Sequence, residues 1–403
     1  MTVESQAPDL PGLPMVRLSP LAEPPQYAGL REQAPISRHR WPNGVEAWLV
    51  TRYQDVRALL GDPRVSVNRF QAMPPSLSVG RKSTVMLPKS LIGMDPPEHT
   101  TRRRLYMREL TVRQVERLRP RIGQIVDQHL DELLAAGRTA DLVRQFALPI
   151  PSLVIAELLG VPAEERAEFQ RHTQTILGVD TPAEEVQRAT TALMDCLRAL
   201  VRLRRDEPGE DILSRLGASE VDGAPLTEDE LVGHAMLLLI AGHETTANML
   251  ALGVATLLGA TEAPGPLTAD PERLEQVVEE LLRFHAVIQF GLVRRAAEDI
   301  EIAGVTIRAG EWLVCSLVSA NRDAGLCPHA ERFDPERSGA KHLSFGYGIH
   351  QCAGQNLARL ELRIALARLF ARLPGLRLAQ PLETLPFRAD AWVYGLYELP
   401  VRW

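Results

Sequence analysis

The sequence predicts a mainly α protein in which a large helical part carries a small β-rich part, as one large domain, 1–403, although that length ordinarily suggests two or three. Three observations predict it. A capped stretch from Thr227 to about Gly259 is apolar nearly all round, the signature of a helix that runs through a core. Residues 112 to 217 alternate helical periodicity with short breaks and hold few strand-like runs. Only residues 290 to 321 switch to period two, around turns at Gly304 and Gly310. The β-rich part is expected mostly from about 1–65 and 290–330, and the helices from 95–285 and 340–375.

Taken in order, residues 1 to about 25 read as an extended arm. Ala47 to Val50 is a short strand, and Tyr53 to Leu60 a helix closed by Gly61-Asp62-Pro63. From Ser66 to Met94 no period holds, and a loop that long inside a compact domain is usually functional. Pro96-Pro97 then opens a charged helix that sets His99 and Arg103 one turn apart on one face. Between Thr101 and Arg121 stand eight arginines and two glutamates, a basic patch on a chain of net charge −6. Tyr106 is the one aromatic there, too little interleaving for a nucleic-acid surface, so an acidic protein is the better partner. Breaks are expected at Gly137, Pro149-Ile150-Pro151, Gly160-Val161-Pro162 and Pro208-Gly209. Thr227 and Glu230 form a capping box for the central helix. Beyond it, Pro264-Gly265-Pro266 is expected to break any helix.

Composition bounds the function classes. Hydrophobic residues make up 45% and charged residues 24%, the values of an ordinary globule with a sizeable core. Cys196, Cys315, Cys327 and Cys352 include no C-x-x-C pair, so neither a zinc knuckle nor a redox dithiol is indicated, and four cysteines in 403 residues are no disulfide framework. The N-terminal stretch is acidic and proline-rich, unlike a signal peptide. The longest apolar run is interrupted at His243-Glu244, so no membrane span is expected and the cytoplasm is the expected location.

Two stretches carry chemistry. The first is Phe345 to Gly354, FGYGIHQCAG, where a cysteine follows a glycine-punctuated loop. Leu357, Leu360, Ile364 and Ala367 then recur at helical spacing, so a helix begins almost at Cys352. A thiol there faces unpaired N–H groups, which is expected to lower its pKa. The second is Ala241-Gly242-His243-Glu244-Thr245-Thr246, an acid and two hydroxyls inside the apolar central helix. Threonine hydroxyls can divert helix carbonyls, so a local bulge is expected.

The pattern F-G-x-G-x-H-x-C-x-G resembles the haem-binding loop of the cytochrome P450 family of haem-thiolate monooxygenases. A-G-x-E-T-T resembles that family's oxygen-activation segment, and Glu280-x-x-Arg283 with Arg337 its buried ion network. The resemblance implies the cytochrome P450 fold and a haem b cofactor with Cys352 as axial ligand. Phe345, Gly346 and Ala241 would lie against the haem, and His99, Arg103, Arg294 and His350 would hold its propionates. Glu244 and Thr245 would deliver protons while dioxygen is cleaved. Met236, Leu237, Ile240, Val287, Ile288 and Trp392 would line the substrate pocket, with 164–205 a mobile helix pair over it. The implied reaction places one oxygen atom of O2 into a hydrophobic small molecule, by hydroxylation or epoxidation. A bacterial secondary metabolite, such as a polyketide, macrolide or terpenoid, is the implied substrate class. Electrons from NAD(P)H would come through a ferredoxin reductase and a ferredoxin, to a soluble monomer with no nucleic-acid or membrane partner. A peroxide-dependent peroxygenase would not need the acid–alcohol pair, and a non-catalytic haem sensor or recruitment protein would need only the cysteine.

Overall fold

The computed structural model describes residues 10–41, 44–68, 91–177, 181–261, 264–339, 341–389 and 391–403. The helical part is built around one helix, Glu228–Ala260. Its 33 residues span about 50 Å at 1.5 Å per residue. Both halves of the capping box form: Glu230 N–H donates to Thr227 Oγ1 at 3.2 Å, and Thr227 N–H to Glu230 Oε2 at 2.9 Å. Helices Pro149–Leu159, Ala183–Asp206, Pro271–His285 and Gln355–Arg372 pack around it. Among the described residues it is the one helix long and apolar enough to cross a membrane, despite His243 and Glu244. Yet 67% of its most apolar window is buried in the protein, as a core helix requires.

The β-rich part is a five-stranded sheet in the order Ile36–Arg40, Glu46–Val50, Trp312–Cys315, Leu292–Ala296, Val65–Ser66. Glu46–Val50 and Trp312–Cys315 run parallel, and the other neighbours antiparallel. Side-chain alternation splits one strand between two cores. Leu313 and Cys315 join Val56 and Leu59 under the helix Tyr53–Gly61, whereas Val314 joins Tyr27, Trp41 and Leu49.

Some expectations need correction. Pro149-Ile150-Pro151 does not break the helical run; it opens Pro149–Leu159. Pro264-Gly265-Pro266 likewise starts the short helix Gly265–Ala269. Proline is tolerated in a first turn because its missing N–H would have no helical partner there. No bulge opens at the polar notch, because Thr245 Oγ1 donates to Ala241 O at 2.7 Å beside an unbroken α-helical ladder. Of the expected loop 66–94, residues 69–90 lie outside the described residues, as do 1–9 of the arm.

Candidate active site

Cys352 sits between a short 3₁₀ turn, Gly348–His350, and the helix Gln355–Arg372. The loop closes on itself: Cys352 N–H donates to Phe345 O at 2.8 Å, and Gly346 N–H to Leu343 O at 2.7 Å. Gly346 and Gly348 hold φ of +70° and +74°, conformations that disfavour any Cβ. At Gly348 a Cβ would also lie 2.4 Å from Leu60 O, a backbone atom that cannot swing aside. At Gly346 it would meet only Leu292 Cδ1, at 3.5 Å. Gly348→Ala is therefore expected to cost about 2–4 kcal/mol of stability and Gly346→Ala about 1–2 kcal/mol. Urea unfolding of the two variants checks the ranking; equal costs would mean the contact with Leu60 does not matter.

Cys352 keeps accessible surface, yet the protein packed around it pushes its thiol pKa up. The backbone N–H groups of Gly354 and Gln355, with Arg103 and Arg359, favour the thiolate but do not outweigh desolvation. The expected lowering is thus reversed in this chain by itself. Binding a cation at the sulfur would reverse it again, since a coordinated thiol is deprotonated outright.

The loop is tethered on both flanks. Glu280 accepts from Arg283 at 2.6 and 2.8 Å, from Arg337 Nε at 3.2 Å and from Asp334 N–H at 2.9 Å. Arg283 spends its other N–H groups on the carbonyls of Asn321, Ala330 and Arg332, at 2.6 to 2.9 Å. Both side chains are essentially inaccessible, so this buried pair is fully satisfied. Asn321 carries the tether to the loop: its Oδ1 accepts from Leu343 N–H at 2.7 Å and its Nδ2 donates to Ser344 Oγ at 2.8 Å. On the other flank Arg359 binds Glu279 at 2.6 and 3.0 Å and lies 4.5 Å over the Phe345 ring. Burial works against the Glu279 charge, but hydrogen bonds from His342 and Arg359 hold its carboxyl down at about 2. Asn321, Ser344, Glu279 and Arg359 were not legible as site residues, because no spacing in the sequence pairs them with Cys352.

A basic cluster flanks the cysteine. The rings of His99 and His350 lie 4.1 Å apart, and Arg103 Nη2 donates to Gln351 O at 2.5 Å. Both ring nitrogens of His99 and Nε2 of His350 are buried without a protein partner. Burial, then the charges of His99, Arg294 and Arg103, push His350 down to about 3, so all four groups converge. Arg294 also donates to Val293 O at 2.8 Å. A flat apolar group bearing two carboxylates, as haem b is, fits this set of cations and orphaned nitrogens beside a thiol.

The notch in the central helix gives the opposite kind of surface. Ala241 is exposed and Ile240, Glu244 and Thr245 are partly so, on a helix buried along most of its length. Met236 and Leu237 are buried in the main core, leaving Ile240 as the accessible one of the three. His243 points away from this opening, its Nε2 2.9 Å from Leu148 O, and burial lowers it to about 4. The two expected lining segments meet: Ile288 bridges Val393, and Tyr394 N–H donates to Val287 O at 2.8 Å. Trp392 is 38% exposed, with its ring edge-on to Phe290. Arg388, which the sequence did not single out, donates to Glu244 Oε1 at 2.5 Å.

Known proteins resemble this chain along nearly its whole length. The cytochrome P450 family model matches residues 272–374. The chain is 43% identical over 403 residues to vitamin D3 dihydroxylase of Streptomyces griseolus, covering 99% of this chain and 98% of that one. It is 44% identical over 390 residues to pentalenic acid synthase of Streptomyces avermitilis, covering 97% and 96%. The crystal structure of CYP105P1 in complex with filipin I superposes with a TM-score of 0.88 at 44% identity, covering 98% and 99%.

Proposed function

The chain belongs to the cytochrome P450 family, and from that premise we propose that it oxygenates a sizeable apolar natural product, with Cys352, Glu244 and Thr245 in the working positions. It is a monooxygenase whose cofactor is haem b. Bound there, haem b supplies the activation of dioxygen, which thiolate donation favours. Cys352 would hold it, on a loop stiffened by the Glu280–Arg283 network through Asn321. His99, Arg103, Arg294 and His350 would anchor the carboxylates and keep the group oriented.

The observation that carries the proposal is the pairing of that anchored cysteine with an accessible acid and alcohol on a buried helix. Thr245 Oγ1 already donates to Ala241 O, so its lone pairs remain open to accept a proton donor. Glu244 stands one residue before it and reaches the protein's edge less than a free surface carboxylate would. The apolar walls, Ile240, Val287 and Ile288, keep bulk water scarce and match an apolar substrate. A macrolide, polyketide or terpenoid is the class we favour. The relatives named for vitamin D3 and pentalenic acid, and the neighbour holding filipin I, support it. Hydroxylation and epoxidation both suit this geometry.

Electrons from NAD(P)H reach bacterial members through a ferredoxin and its reductase. Arg104, Arg108, Arg113 and Arg117 are exposed on the basic stretch, and they suit an acidic ferredoxin. We place the enzyme in the cytoplasm as a monomer. Thr245→Ala is the test of the proton assignment. NAD(P)H consumption should continue while product per NAD(P)H falls about tenfold or more and hydrogen peroxide rises to match. An unchanged product yield would remove Thr245 from the mechanism.

A further inference from the structure

Glu244, the acid on the central helix, is not free to move. Its carboxylate is taken by Arg388, whose side chain is 11% accessible against 19% for Glu244. Arg388 belongs to the pocket wall. It precedes a turn whose two sides pair at Phe387 and Leu396, and its own N–H donates to Gly395 O at 2.9 Å. Residue 390, inside that turn, lies outside the described residues. Gly395 faces the same helix one turn beyond Glu244. A Cβ there would fall 1.7 Å from Asn248 Oδ1, so only glycine lets the wall lie this close.

Two cross-strand partners, 388 and 395, therefore meet two helix residues four apart, 244 and 248. The wall is also held by the neighbouring segment 287–289, which bridges Val393 and accepts from Tyr394 N–H. The buried Gln289 amide donates to the carbonyls of Arg388, Ala389 and Ala391, the first two at 3.3 and 3.1 Å. Gln289 N–H also donates to Trp392 O at 3.2 Å. Arg388 Nε is buried without a partner, so the guanidinium is not fully committed to its present place. The same short segment thus touches the substrate space through Trp392 and Val393 and the proton carrier through Arg388.

We propose that Arg388 is a positioning residue that latches Glu244 to the pocket wall, so that proton entry waits until substrate displaces the wall. This rests on Glu244 being the proton carrier. While paired, the carboxylate is turned toward the wall and committed to the guanidinium. Released, it takes one proton from solvent and passes one to Thr245 Oγ1, whose own proton moves on to the oxygen substrate. The carboxylate is regenerated, and no electrons change hands at either residue. The latch would keep oxygen chemistry from running in an empty pocket.

The test uses the haem-loaded enzyme with its electron donors and no substrate. Arg388→Gln should raise substrate-free NAD(P)H oxidation several-fold, Arg388→Lys should show no such rise, and adding Glu244→Gln to Arg388→Gln should abolish the rise. Independently of turnover, hydrogen exchange at the amides of 388 and 391–396 should speed up in Arg388→Gln and in Glu244→Gln, with no further gain in the double variant. Faster exchange without the substrate-free oxidation would make Arg388 a structural residue only and overturn the proposal. So would a Lys variant that oxidises NAD(P)H as fast as the Gln variant. If Glu244→Gln instead left product yield with substrate unchanged, the proton-carrier reading would fall, a result distinct from either of these.

Discussion

Cys352→Ser is expected to lose the carbon monoxide spectrum of a thiolate-ligated haem, and turnover should fall roughly a thousandfold or more, equivalent to about 4 kcal/mol of barrier. The fold should survive. What shapes the loop is backbone, namely the Cys352 N–H to Phe345 O bond and the positive φ of Gly346 and Gly348, none of which needs sulfur. Serine is smaller and its hydroxyl far less acidic, so it cannot supply the anionic donor that favours O–O cleavage. Carbon monoxide difference spectra and urea unfolding, measured on the same sample, separate ligation from stability. A thiolate-type spectrum persisting in the serine variant would remove Cys352 from its assigned place.

The second large effect concerns stability. Arg283→Met should destabilise the protein by about 3–5 kcal/mol, because it strands a buried carboxylate. Glu280 would keep only Arg337 and the Asp334 N–H, and the carbonyls of Asn321, Ala330 and Arg332 would lose their donor. Against a typical total of about 5–15 kcal/mol, that is enough to cut soluble yield sharply. Replacing both partners with apolar residues, Glu280→Leu with Arg283→Met, should cost less than the sum of the single changes, by about 0.5–3 kcal/mol. Strict additivity in urea unfolding would mean the pair is not coupled.

Much of the site was legible because its signals are local. The cysteine loop and its glycines fall within ten consecutive positions, the helix follows at once, and the capping box lies within four. The prolines misled because a proline in a first turn and one in a helix interior look alike without knowing where the helix starts. At Cys352 the helix N-terminus was visible in sequence, but the burial that outweighs it was not. The most distant contacts were wholly hidden. Nothing in the chain joins Asn321 to Leu343, Gln289 to Ala389, or Arg388 to Glu244 until the fold brings them together. The same holds for the parallel pairing of Glu46–Val50 with Trp312–Cys315, strands some 260 positions apart.

The two sides of this enzyme are therefore fastened in different ways. Behind the sulfur, every donor of Arg283 ends on a fixed carbonyl or carboxylate, so a change there propagates to the loop that carries Cys352. The turn around Trp392 is secured by the long side chains of Gln289 and Arg388 and by backbone bonds to 287–289. On the proposed reading of the pocket, directed evolution for new substrates has its natural target in that turn, where altered shape leaves the Cys352 loop untouched.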